Sequence, residues 1–163
     1  MSPFGPRQWL EALEHEFAAF ATGSLGLPRV EVTARGAPPP RAMEGAYLGL
    51  VAAEGGCQIG LAATAAGCET LARALLSLPA EEPISAADVA DAVCEIVNML
   101  AGGVQRRARA AAGLQVTLGL PTFFHGTAQP TERLGVVVTE VRVGDWPAAL
   151  LVLHPRRHAA EET

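Results

Sequence analysis

Apolar residues recur at helical spacing close to the N-terminus. Trp9, Leu10, Leu13, Phe17 and Phe20 line one side and predict a first helix over about residues 7–21. Glu11, Glu14 and Glu16 fall on what should be its wet side. Gly23, Gly26 and Pro28 stop the pattern. The period then changes to two: Val30, Val32 and Ala34 alternate with Glu31 and Thr33, as in a short strand. Residues 36–40 (GAPPP) predict an exposed loop, since consecutive prolines cannot sit in a ladder.

A hairpin is expected next, with strands at 46–53 and 57–63 around a Glu54-Gly55-Gly56 turn. Gly49 and Gly60 within it are expected to let a helix pack close. A second helix is expected over 65–78, burying Cys68, Leu71, Ala72, Leu75 and Leu76. Pro79 and Pro83 bracket an acidic turn, after which Ser85 reads as an N-cap with Asp88 in the capping-box position. It opens the longest helix, about 86–112. Strands at 114–120, 134–143 and 146–153 follow, the last two turning at Gly144-Asp145. Between the first two lies a loop, 121–130, holding Phe123, Phe124, His125 and Gly126. The order α-β-β-β-α-α-β-β-β predicts an α+β fold: a six-stranded, mainly antiparallel sheet with helices packed on it, in two αβββ-type halves. It lacks the βαβα alternation of a doubly wound sheet. One domain over 1–163 is expected, with its core at about 7–154 and a flexible tail at 155–163.

Composition narrows the function. Half of the 163 residues are hydrophobic and only 5% aromatic, so the core should be small aliphatics. Twelve Arg and no Lys face 17 acidic residues, a net charge of -5. Nucleic-acid binding, which needs a basic excess on one face, is therefore not expected. No stretch resembles a secretory signal or approaches the roughly 20 apolar residues of a membrane span, so a cytoplasmic protein is expected. Cys57, Cys68 and Cys94 lack CxxC spacing and read as buried thiols rather than a zinc site or disulfide framework. His154 and His158 stand four apart but flank Pro155 in a polar tail, so no metal site is expected there.

The long helix has two unlike faces. With Asp91 at zero on a helical wheel, Glu95, Asn98, Gly102 and Gln105 fall within about 40° of it. Val89, Val93, Ile96, Leu100 and Val104 fall opposite. A polar row of this kind is also what a simple solvated face looks like. Two details favour more. Gly102 and Gly103 stand in mid-helix, each costing about 1 kcal/mol relative to Ala. On the outward row, the missing side chain of Gly102 would let another surface approach; Gly103 is expected towards the sheet. Asn98, the only asparagine in the chain, is a poor helix former whose amide can orient a water.

Asp91-x3-Glu95-x2-Asn98, followed 22 residues later by Pro121, resembles the signature helix of the CheC/CheX/FliY chemotaxis phosphatases, whose pattern is [Asp or Ser]-x3-Glu-x2-Asn-x22-Pro. Four such positions at fixed spacing arise by chance in a chain this size roughly once in a thousand. CheC-type members carry the motif twice. Here the first helix offers Glu11 and Glu14, but Phe17 stands where a second asparagine belongs. The likeness is therefore to single-site CheX, and it implies a homodimer joined through the sheets.

The resemblance implies a phosphatase hydrolysing the aspartyl phosphate of a phosphorylated CheY-like receiver domain, in chemotaxis or another two-component pathway. Asn98 would orient the attacking water and Glu95 would dock on the receiver's active-site lysine; these two are the catalytic candidates. Asp91, Gly102 and Gln105 are candidates for partner contact, and Pro121 reads as a strand terminator. No cofactor is expected on this chain; Mg²⁺ is expected in the receiver. Positioning a water requires an amide that brings no negative charge to the phosphoryl group. A non-catalytic receiver-binding module of the same fold is the alternative. A nucleotide enzyme lacks support, since there is no GxxxxGK[ST] loop, GxGxxG turn or nucleophile elbow.

Overall fold

Helix α1 (Pro6–Ala19) starts where Pro6, which has no N–H to satisfy, occupies its first position. Gln8 Oε1 accepts the Gly5 N–H at 3.0 Å and closes the cap. The helix ends two residues before the expected limit and continues as a π-helical turn, Phe20–Ser24, that buries Ala21. In this computed structural model the described residues are 4–36, 42–53 and 55–156. Most of the GAPPP loop, Glu54 of the hairpin turn, and the tail from 157 with His158 lie outside them.

The strands are β1 (Val30–Arg35), β2 (Met43–Ala52), β3 (Gly55–Ala63), β4 (Val116–Leu118), β5 (Thr122–Gly126), β6 (Leu134–Val143) and β7 (Trp146–Pro155). They form one sheet in the order β1-β6-β7-β3-β2-β4, with β5 also on β2, and every pair is antiparallel. The α+β fold and its mainly antiparallel sheet are as expected. Each half sends its first strand across: β1 pairs with β6, while β4 and β5 pair with β2. The β6–β7 hairpin turns at Gly144-Asp145 as expected, with Gly144 at φ +62°.

The edge beside β2 corrects the sequence reading. The strand expected at 114–120 shrinks to β4, and the expected loop at 121–130 begins as β5. Gly119-Leu120-Pro121 interrupts pairing, because a proline has no N–H for the ladder. Gly119 N–H bonds Gly49 O at 2.7 Å, and β5 then resumes on Met43–Tyr47. Phe123 packs towards the helices and Phe124 towards the opposite face.

Helices α2 (Ala65–Leu76) and α3 (Ala86–Ala112) join α1 on one face of the sheet. Leu13, Phe17, Leu71, Val93, Ile96 and Leu100 meet Leu48, Leu50, Ile59, Leu61 and Leu150 there, all fully buried. The other face carries a smaller apolar cluster, Met43, Ala62, Val138, Ala149 and Leu151, without a helix residue in it. Gly60 lies on that far face, against Tyr47 and Leu151, and nothing stands over Gly49. Neither admits a helix. Gly67 of α2 does: a Cβ there would meet Ala63 and Trp146.

Two carboxylates of α1 are not on a wet side. Glu14 receives Arg35 through Nε at 3.1 Å and Nη2 at 3.2 Å, and the hydroxyl of fully buried Thr139 also donates to it. Arg35 and Thr139 face one another across the β1–β6 ladder, so Glu14 pins the edge strand. Glu16 accepts from Arg107 of α3. Glu11 is exposed, as expected, and pairs with Arg7 at 3.4 Å. Among the described residues no helix is long and apolar enough to cross a membrane.

Candidate functional site

Helix α3 is held at both ends by local chemistry. Ser85 Oγ accepts the Asp88 N–H at 3.1 Å, and Gly113, at φ +65°, closes the C-terminus. Its 27 residues span about 40 Å. Val93, Ile96, Val97, Leu100, Val104 and Ala108 are buried, so the opposite arc must face outward.

On that arc Asp91 and Glu95 are exposed, and Asn98 and Gly102 are half-buried. Glu95 and Asn98 are separated by about 4.5 Å of rise on one face. Among the described residues neither side chain has a hydrogen-bond or ion-pair partner, so both point to solvent uncommitted. A Cβ at Gly102 would find only Arg106 Nη1, at 3.5 Å. The helix surface beyond Asn98 is therefore open to a second body.

Gly103 is not on the sheet side. A Cβ there would overlap the Glu16 carboxylate, so this glycine admits the Glu16–Arg107 pair between α1 and α3. Gln105 belongs to the row by angle, but its Nε2 donates to Val116 O at 2.6 Å and ties α3 to β4. Its amide serves the fold. Pro121 is half-buried at the seam between β4 and β5. Met99, 44% exposed, flanks the row, and the sequence pattern did not single it out.

The thiols differ. Burial pushes Cys57 and Cys68 up to about 12. Cys94, half-buried beside the row, is raised by burial first and by Asp91 second. His154 Nδ1 lies 3.2 Å from Pro155 O. The described residues contain no cluster of three or more His, Cys, Asp or Glu suited to a metal ion.

The family model described as "Chemotaxis phosphatase CheX" matches residues 47–139, more than half of the chain, a range within which Asp91, Glu95, Asn98 and Pro121 fall. The chain belongs to the CheX family. Solved structures with the same fold include family members of low identity. CheX from Vibrio vulnificus is 16% identical, with 91% of this chain and 97% of that one covered and a TM-score of 0.71. CheX from Desulfovibrio desulfuricans is 15% identical, with 91% and 99% covered and a TM-score of 0.72. A CheX–CheY–BeF3–Mg²⁺ complex from Borrelia burgdorferi supplies a third, at 13% identity, 91% and 98% coverage and a TM-score of 0.70. Among curated proteins none matches this sequence. CheX membership agrees with the single asparagine and with α3 as the only helix carrying the full motif.

Proposed function

We propose that this chain hydrolyses the aspartyl phosphate of a CheY-like receiver, with Asn98 orienting the water and Glu95 docking on a receiver lysine. One observation carries it: the amide and the carboxylate stand one turn apart on an open helix face, both uncommitted, next to a glycine that leaves room for the partner. The Asn98 C=O would accept from the water and its NH₂ would donate towards the phosphoryl oxygens. A neutral amide adds no repulsion to an anionic target, and in-line placement of water is most of what this reaction asks of a protein. With no lysine in the sequence, the docked lysine belongs to the receiver, and this reading puts the Mg²⁺ there too. Asp91 stands one turn before Glu95, where it adds negative charge to the docking surface.

The CheX of Borrelia burgdorferi is found in complex with CheY, BeF3 and Mg²⁺, which supports a receiver as the partner of this fold. The same reading carries a homodimer through the helix-free face of the sheet, and a cytoplasmic location beside the receiver. To test the activity, a phosphorylated CheY-type receiver is mixed with wild-type protein or Asn98→Ala. Phosphate release should be fast only with the wild type. Equal rates for the two, or none above that of the receiver alone, would remove the hydrolase assignment. Tight binding without turnover would leave a receiver-binding module.

A further inference from the structure

We infer that the C-terminal end of α3 is a second docking contact, in which Arg106 and Arg109 take an acidic segment of the receiver's surface. This rests on the receiver-phosphatase reading above and adds to it the orientation of the partner.

Charge along α3 is segregated. Asp88, Asp91 and Glu95 occupy the N-terminal half, residues 96–105 carry no charge, and Arg106, Arg107 and Arg109 follow. Arg109 lies about 16 Å beyond Asn98 along the axis and only about 20° around it. Arg106 flanks the same face on the Met99 side. Both are exposed.

Among the helix arginines the pairing pattern sets these two apart. The helices hold five arginines, and three of them are engaged: Arg7 with Glu11, Arg73 with Glu69, and Arg107 with Glu16. Arg106 and Arg109 form no ion pair among the described residues, although the chain has 17 acidic residues to 12 basic ones. Their positions one turn back are Gly102 and Gln105, which offer no carboxylate. Between the two arginines and residues 114–116 lies a shallow hollow of about 140 Å³, lined also by Gln105. Gln105 holds its floor in place through the bond to Val116 O.

One continuous face therefore presents carboxylates, an amide beside a glycine, and then two guanidinium groups without an ion pair among the described residues. Arg106 Nη1 is 3.5 Å from where a Cβ of Gly102 would stand. A partner matching it carries a cation opposite Glu95 and acidic side chains about 16–21 Å away. Two such contacts of opposite sign admit one orientation of the receiver along α3, because the reversed orientation sets like charges together.

The test compares Arg106→Glu/Arg109→Glu with Arg133→Glu/Arg156→Glu, an equal charge change at exposed sites off this face. KM and kcat are measured with phosphorylated CheY-type receiver, and Kd with receiver loaded with beryllofluoride and Mg²⁺, at low and high salt. The α3 double variant should raise KM and Kd about tenfold at low salt, less at high salt, with kcat unchanged. The control should move neither. Equal KM and Kd for the two variants would overturn the inference, as would a fall in kcat matching a loss of folded protein. If the wild type binds loaded receiver but releases no phosphate, the hydrolase assignment falls and the Kd comparison still decides this contact. If it binds no receiver, both fall together.

Discussion

Gly103 of α3 stands directly against the Glu16 carboxylate of α1, where any side chain would displace it. A Cβ at its neighbour Gly102 would meet only the Arg106 guanidinium, at an ordinary contact distance of 3.5 Å. Two adjacent glycines in one helix thus have separate causes, one internal to the fold and one on the surface offered to a partner. Their alanine variants should part accordingly. Gly102→Ala should gain about 1 kcal/mol of helix stability, a Tm rise of about 3 °C. Gly103→Ala should show no such gain, because the added methyl group drives Glu16 from Arg107. In a Glu16→Ala background the gain at 103 should return. Equal Tm shifts for the two single variants would contradict this.

Thr139 is the one buried polar residue among the described residues, and its hydroxyl donates to Glu14. Thr139→Val keeps the shape and removes the donor, leaving a half-buried carboxylate with Arg35 alone. A loss of about 1–2 kcal/mol is expected by urea denaturation. An unchanged midpoint would mean that the hydroxyl does not hold α1 to β6.

How much of this was legible depended on how local each cause is. The row Asp91, Glu95, Asn98 and Gly102 could be placed from helical angles alone, and Ser85 marked the start of α3 through a bond to a residue three away. The half-burial of Glu14 and Glu16 could not. Their partners Arg35, Arg107 and Thr139 lie 21, 91 and 125 residues away, and only the finished packing brings them together. The bond of Gln105 was hidden for the same reason: its angle puts it on the open face, while its amide is held by Val116. Strand β5 was hidden by Pro121, which marks a seam in the edge strand rather than its end. Recognising that needed the exposed edge of β2, which local periodicity does not reveal.

The buried thiols predict an alkaline limit on stability. Burial holds Cys57 and Cys68 at about 12, against an ordinary value near 9.0. The unfolded chain therefore loses these protons first. Below about pH 9 their contribution is complete; between about 9 and 12 each thiol weakens the native state by about 1.4 kcal/mol per pH unit. Urea midpoints should fall steeply across that window. The fall should be shallower in a Cys57→Ala/Cys68→Ala variant, and an identical slope would assign the loss to other groups.

Glu95 and Asn98 occupy one face but are given different tasks, so their variants should separate in steady-state kinetics. Glu95→Gln removes a charge and keeps the shape. It should raise KM about tenfold and leave kcat within about threefold, since docking on a lysine is made before and during the reaction alike. Asn98→Asp keeps the shape and adds a charge, which would stand against the phosphoryl oxygens and turn the water the wrong way. Its kcat should fall at least about a hundredfold, the usual scale for losing one positioned transition-state contact. Measuring both constants for each variant against phosphorylated receiver decides the matter. If both substitutions lowered kcat alike with KM constant, Glu95 would have to act on the water as well, and its assignment to docking would be wrong.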